Sequence, residues 1–127
     1  MARTGEWIVR MRARLPLGRR GERAAEKYLK RMGYRIVRRN FRAAGAEIDL
    51  VAMEGETLVF VEVKTRRGTG AGAPEEAVDA RKQTRMRRAA EAFALQYRVG
   101  ETGMRFDIVA IDAAGGRMEI ELLRNAF

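Results

Sequence analysis

Two short apolar runs between residues 46 and 66 carry charged side chains at a spacing of two. In an extended strand this spacing places Glu47 and Asp49 on one face, and likewise Glu62 and Lys64 on one face. If the two runs pair as a hairpin around the intervening Glu-Gly turn, Asp49 at the end of one strand lies beside Glu62 and Lys64 at the end of the other. Two carboxylates and an ammonium group can hold a divalent metal ion and a water for phosphodiester hydrolysis.

The predicted roles follow from that chemistry. Asp49 and Glu62 are the expected ligands of Mg²⁺, a hard cation that prefers oxygen, and the backbone carbonyl of Val63 is a third. Lys64 would orient the attacking water or stabilise charge in the transition state. Glu22, on a predicted helix, borders the apolar face of that helix and could hold a water at the metal.

The same charges also have structural explanations, which the sequence leaves open. Glu62 could form an ordinary ion pair with Lys64 or Arg66 at the end of the sheet. Glu22 could serve only as an acidic partner of the helix dipole. Glu47 is expected to form a supporting hydrogen bond or salt bridge rather than to bind the metal.

The composition excludes several classes of active site. The chain has 127 residues and contains no cysteine, histidine or serine. Disulfides, thiolate or serine nucleophiles, Cys-ligated zinc and imidazole ligation are therefore impossible. Any chemistry must use Asp, Glu, Lys, Tyr, Thr or Arg, with or without a bound ion.

The net charge of +9 comes almost entirely from arginine and favours salt-dependent binding to a polyanion. The alternative is a solvated arginine-rich surface. No run approaches the roughly 20 apolar residues of a membrane helix, and no signal-peptide core follows the basic N-terminus. We therefore expect a cytoplasmic protein with no membrane contact.

Periodicity predicts the elements that would position these side chains. A helix is expected over 19–32 and a second over 80–97, capped by Asp79. Strand 57–65 has apolar residues on both faces, which predicts a central position in the sheet. In strand 46–53, Ile48 and Leu50 should share one face. The remaining expected strands are 34–39, 105–111 and 117–123, the last at an edge, whereas residues 1–17 should form a mobile basic arm or a short irregular helix.

A glycine-rich loop over 66–73 follows the third strand and precedes a basic helix. The loop lacks the Gly-Lys-Ser/Thr ending of a P-loop, so it predicts a plain linker or a flexible basic segment beside a cleavage site. The basic turns of the helix come directly after Lys64 and favour contact with phosphates. The expected nucleic-acid-binding residues are Arg66, Arg67, Arg81, Lys82, Arg85 and Arg88.

Several segments together resemble the YraN-like family of small bacterial proteins, the UPF0102 group: GRRGERAAEKYL, GYRIVRRN, AEIDLVA, LVFVEVKTR, RFDIVAI and RNAF. That family is similar to archaeal Holliday junction resolvases and to the PD-(D/E)xK nuclease superfamily. By this resemblance, Glu22 corresponds to the helix glutamate of the pattern and Asp49 to its aspartate. Glu62 and Lys64 correspond to its Glu-x-Lys. It also matches Gln83 to a helix Gln or Lys near the active site. Ile48 stands where the superfamily has proline.

The resemblance implies a restriction-endonuclease-like α/β domain over 18–127, with element order αβββαββ and a mixed central sheet. The implied function is a Mg²⁺- or Mn²⁺-dependent endonuclease acting on DNA, including branched DNA. One site makes one nick, so symmetric cutting of a junction would require a homodimer. The alternatives are a non-catalytic nucleic-acid-binding protein that keeps the fold, and an accessory subunit that binds a protein partner through its basic face.

Overall fold

The computed structural model describes residues 2–10, 16–68, 70, 72–100 and 102–127. The six strands are β1 (Ala2–Arg10), β2 (Arg35–Ala43), β3 (Ala46–Glu54), β4 (Thr57–Arg66), β5 (Met104–Asp112) and β6 (Arg117–Arg124). The two α-helices are α1 (Leu17–Arg31) and α2 (Ala80–Gln96), and short 3-10 turns occupy Pro74–Ala77 and Ala114–Gly116.

The strands form one mixed sheet in the order β1-β6-β5-β4-β3-β2. Strands β4 and β5 are parallel because α2 carries the chain across the sheet between them, and all other neighbours are antiparallel. Strand β4 lies between β3 and β5, as its two apolar faces predicted. The expected restriction-endonuclease-like α/β class with a mixed central sheet is confirmed.

The N-terminal segment differs from the prediction. Residues Ala2–Arg10 form β1, which pairs antiparallel with β6, instead of a mobile arm or an irregular helix. The element order is therefore βαβββαββ, and the expectation that 117–123 lies at an edge was wrong because β1 covers it. The sequence signal was weak because the segment has only one short apolar run, Trp7 to Val9, and contains a glycine, which is unfavourable in strands. Residues 11–15 of the predicted arm lie outside the described residues.

The two helices cover opposite faces of the sheet. Helix α1 packs on a core that includes Leu50, Val61 and Ile120, whereas α2 packs on a core that includes Phe60 and Ile108. Helix α2 begins as predicted, since the Asp79 side chain accepts a hydrogen bond from the Lys82 backbone amide at 2.8 Å. No helix in these described ranges combines the length and the apolar character needed to cross a bilayer.

The pairing of β3 breaks at Asp49. Its ladder with β4 begins only at Leu50, and its ladder with β2 leaves Asp49 and Asn40 unpaired, with Asn40 in the left-handed region (φ 51°). As a result Ile48 belongs to the α2 core and Leu50 to the α1 core, so the expectation that they share a face was wrong. The break opens the sheet where the charged side chains of β3 and β4 meet.

Candidate metal centre

Asp49 is the residue that links the two strands at the opening. Its Oδ2 accepts a hydrogen bond of 2.8 Å from the backbone amide of Val63 on β4. Because this amide lies beyond the last β3–β4 ladder pair, the side chain of Asp49 takes over the role of a backbone partner. The bond fixes the Asp49 carboxyl group beside the C-terminal half of β4.

The carboxyl groups of Asp49 and Glu62 are brought together. The Glu62 residue is only 6% exposed, and Asp49 is half-buried. The pKa of Asp49 is raised to about 8, chiefly by burial and then by the negative charge of Glu62 and a hydrogen bond with its carboxyl group, whereas the Val63 amide opposes the rise. Two acids crowded in this way retain a proton that a divalent cation could replace.

Glu62 has a cationic partner, and it is Lys82 of α2 rather than a residue of its own strand. The Lys82 ammonium donates a hydrogen bond to Glu62 Oε2 and forms a salt bridge with it. The alternative of an ion pair with Lys64 or Arg66 is therefore wrong. Helix α2 thus supplies a charge to the site through the first turn after its Asp79 cap.

Glu22 is placed near this pair by close packing of α1. The backbone at Gly21 approaches β4 so closely that an added Cβ would lie 2.0 Å from Thr65 Oγ1. Burial raises the pKa of Glu22, and the negative charges of Glu47 and Glu62 add to the rise, while Arg19 opposes it. Glu22 is therefore near enough to sense both strands electrostatically.

These side chains line one open cleft of about 490 Å³. The cleft runs from α1 across the splayed ends of β3 and β4 to α2, and its charged lining residues are Glu22, Glu47, Asp49, Glu62, Lys64, Lys82 and Arg85. Lys64 is exposed and makes no ion pair within the described part of the chain. Four of the five predicted catalytic residues are thus gathered in one place.

Gln83 is the predicted catalytic residue that the structure does not bring to the cleft. Its Nε2 donates a hydrogen bond of 3.2 Å to the carbonyl oxygen of Val78, so it stabilises the turn before α2. Lys82 reaches the site in its place. The sequence did not distinguish the two residues, since adjacent side chains on a helix point about 100° apart and either one could have faced the sheet.

The expected nucleic-acid-binding residues divide into two groups. Arg67, Arg81, Arg85 and Arg88 are exposed, and Arg85 also lines the cleft. Arg66 donates a hydrogen bond to the Gly72 carbonyl, and Lys82 pairs with Glu62, so both make contacts within the protein. Glu47 forms the expected supporting salt bridge, to Arg42 at 3.2 Å.

The donor set fits a magnesium-type cation. Two adjacent carboxyl groups offer hard oxygen ligands, and Mg²⁺ usually takes one or two carboxylates and keeps several waters. No group of three or more acidic side chains in the described ranges forms a ready-made metal cage. The open cleft leaves room for water and for a phosphate to complete the coordination of such an ion.

The model of the uncharacterised protein family UPF0102 matches residues 21–111. A UPF0102 protein of Caldicellulosiruptor saccharolyticus is 43% identical, over 87% of this chain and 96% of its own. A UPF0102 protein of Geobacter sulfurreducens is 47% identical, over 87% of this chain and 88% of its own. The chain therefore belongs to the UPF0102 family.

Proposed function

We propose that this protein is a Mg²⁺- or Mn²⁺-dependent endonuclease that hydrolyses phosphodiesters of DNA, including branched DNA. The observation that carries the proposal is the pair of carboxyl groups on Asp49 and Glu62, which are crowded at a break in the sheet and open to a cleft that Lys64, Lys82 and Arg85 also line. Asp49 has no salt-bridge partner among the described residues and is only half-buried, so a cation could reach it from the cleft. The net charge of +9 supports a polyanionic substrate.

Each residue of the cleft has a defined part in this proposal. Asp49 and Glu62 would hold the cation, together with the Val63 carbonyl, and the Val63 amide keeps Asp49 in position. A bound Mg²⁺ or Mn²⁺ supplies charge neutralisation at the phosphate and lowers the pKa of water. Lys64 lines the same cleft, and its side chain would stabilise the charge that develops on the phosphoryl oxygens.

Glu22 and Lys82 act on either side of this pair. The raised pKa of Glu22 suits a group that accepts a proton from a water or orients it. Lys82 balances the charge of Glu62 before the cation binds. Arg81, Arg85 and Arg88 would contact the phosphates of the DNA on the α2 side.

The test is cleavage of a labelled four-way junction and a labelled linear duplex in Mg²⁺, in Mn²⁺ and in EDTA. We expect nicking that depends on the metal and falls about a thousandfold in Asp49→Asn and in Glu62→Gln, because losing a ligand removes several kcal/mol of transition-state stabilisation. DNA binding should be retained in both variants. Glu119→Gln, an exposed substitution on β6, is the matched control and should cleave normally.

One observation favours a second candidate, a non-catalytic DNA-binding protein. Lys82 already compensates Glu62 without any cation, as a purely structural pair would. In that case Arg81→Glu with Arg85→Glu would abolish DNA binding, and no variant or condition would give cleavage. Metal-dependent nicking by the wild-type protein that is lost in Asp49→Asn excludes this candidate.

Two further parts of the proposal concern assembly and location. Paired, symmetric cuts in a junction require two sites, so we propose a homodimer on the substrate. Analytical ultracentrifugation with and without junction DNA tests it, and a protein that stays monomeric while cutting both strands symmetrically would contradict it. A chromosomal substrate implies that the protein works in the cytoplasm.

A further inference from the structure

A second cleft, of about 400 Å³, lies between α1 and β2 and meets the first cleft at the proposed metal centre. Glu22 and Asp49 line both clefts. The other polar groups of the second cleft include Arg19 and Arg23 of α1 and the neighbouring Arg39 and Asn40 of β2.

The opening of this second cleft coincides with the break in the sheet. Asn40 and Asp49 face each other in register but are left out of the β2–β3 ladder, and Asn40 has a positive φ of 51°. Arg39 and Phe41 on either side of Asn40 are paired normally. The interruption is therefore local, and it places the proposed metal ligand at the junction of two cavities.

The second cleft is lined by three arginines and three acids, and only one arginine forms a salt bridge with a described residue. Glu26 is already paired with Arg39, with 2.6 Å between Oε1 and Nε. Arg19 and Arg23 form no salt bridge among the described residues, and both are exposed. They are four positions apart on α1, where like charges face each other and destabilise a helix. Arg19 interacts with the charge of Glu22, but neither Arg19 nor Arg23 is held in a salt bridge with a described residue, so both guanidinium groups can bind an anionic ligand.

The basic residues of the two clefts lie on different elements of the fold. The basic residues of the first cleft come from β4 and α2, whereas those of the second come from α1 and β2. Helices α1 and α2 cover opposite faces of the sheet. A nucleic-acid strand that binds on the α2 side and passes Asp49 would therefore continue to Arg19 and Arg23 on the α1 side.

We infer that the α1–β2 cleft is a second phosphate-binding subsite, which holds the DNA backbone on the far side of the cleaved phosphate from α2. Arg19 and Arg23 are its principal contacts. This inference rests on the proposed function for its ligand. It predicts that DNA affinity has two separate electrostatic contributions, one from α2 and one from α1.

The test measures DNA binding in EDTA, where no cleavage occurs, at a series of salt concentrations. The probe is a labelled DNA duplex. In Arg19→Gln with Arg23→Gln, the slope of log K against log salt should become shallower by about 1.8, because each lost phosphate contact removes about 0.9 from it. Arg23→Gln alone should remove about half of that change.

Lys27→Gln with Arg117→Gln is the matched control, since it removes the same charge from exposed positions that do not line the cleft. Thermal melting of all variants checks that they fold. A slope for the Arg19, Arg23 double variant equal to that of the control would overturn the inference, even if the wild-type protein cleaves DNA. A shallower slope in a protein that never cleaves would support the subsite and overturn the nuclease proposal instead.

Discussion

Two carboxylates near the centre of the sheet have opposite surroundings. Asp107 on β5 is fully buried, and both of its oxygens are used. It accepts hydrogen bonds from the Tyr34 hydroxyl at 2.8 Å, from Arg105 at 2.9 and 3.0 Å, and from the Asn125 amide at 2.9 Å. Arg105 also pairs with Glu54 at 2.8 Å, so the charges of this network are shared among several partners.

Asp49 on β3 has one backbone donor and faces a second carboxyl group. Its pKa is raised to about 8, first by burial and then by Glu62. At Asp107, in contrast, the neighbouring Tyr34 hydroxyl keeps its proton, because burial and the negative charge of Asp107 raise the pKa of Tyr34. The comparison shows that burial of an acid does not by itself identify a functional site. What distinguishes Asp49 is that it has no cationic partner among the described residues and that solvent reaches it.

The largest difference should appear when each aspartate is neutralised. Asp107→Asn breaks a buried ion pair with Arg105 and should lower the free energy of unfolding by about 3 kcal/mol. Asp49→Asn replaces a carboxyl group that keeps its proton below its pKa of about 8 with a neutral amide, and should leave the free energy of unfolding near neutral pH almost unchanged. Urea denaturation measures both. Equal losses of stability in the two variants would mean that the two acids contribute equally to the free energy of unfolding.

The packing that brings Glu22 to the site gives the next prediction. Gly21→Ala would place a Cβ against Thr65 and should lower the free energy of unfolding by about 2 kcal/mol through overpacking. It should also slow cleavage, because α1 must move away from β4. Gly18→Ala is the control, since no atom lies within 4 Å of the added Cβ, and it should raise stability slightly. A harmless Gly21→Ala would show that Glu22 does not depend on this contact.

The pH dependence of metal binding is a further way to distinguish the Asp49 site from the Asp107 network. Below the Asp49 pKa of about 8, a cation must displace a proton, so the apparent affinity for Mn²⁺ should fall about tenfold for each unit of pH. The raised pKa of Asp49 also makes the stability of the metal-free protein depend on pH. Because the folded protein retains a proton that the unfolded chain loses near the ordinary pKa of 3.8, stability should decrease as the pH rises from about 4 to about 8. An affinity that is constant between about pH 6 and pH 8 would contradict this account.

The smallest expected effect concerns the lysine that stands beside Glu62. Lys82→Met should lower the free energy of unfolding by about 1 kcal/mol in EDTA, because Glu62 loses its counter-ion. In saturating Mg²⁺ the loss should shrink, since the cation compensates the same carboxylate. Lys27→Met, on the exposed face of α1, serves as the control. An identical loss in EDTA and in Mg²⁺ would indicate that the cation does not bind next to Glu62.

Much of this arrangement could be predicted from residue types and spacing. Alternation and apolar runs located five of the six strands, and Asp79 marked the start of α2. The juxtaposition of Asp49 and Glu62 followed from the hairpin. These features are local, because each depends on residues that are close in sequence.

The features that could not be predicted depend on contacts distant in sequence. The pairing of β1 with β6 joins the two ends of the chain, and no local pattern specifies it. The side chains of β3 change face at Asp49, because the β2–β3 ladder omits this residue and the β3–β4 ladder begins only after it. The choice of Lys82 rather than Gln83 depends on how α2 is rotated against the sheet, which the packing of residues such as Phe93 between Phe41 and Phe60 decides.

The central claim is that Asp49 and Glu62 share one divalent cation. Titration of the metal-free protein with Mn²⁺ at about pH 8, followed by electron paramagnetic resonance of the free ion, tests it most directly. We predict a bound ion in the wild-type protein and in Asp107→Asn where that variant remains folded, and loss of that ion in both Asp49→Asn and Glu62→Gln. Mn²⁺ binding that survives both substitutions, or that is absent from the wild-type protein with DNA present, would contradict the account.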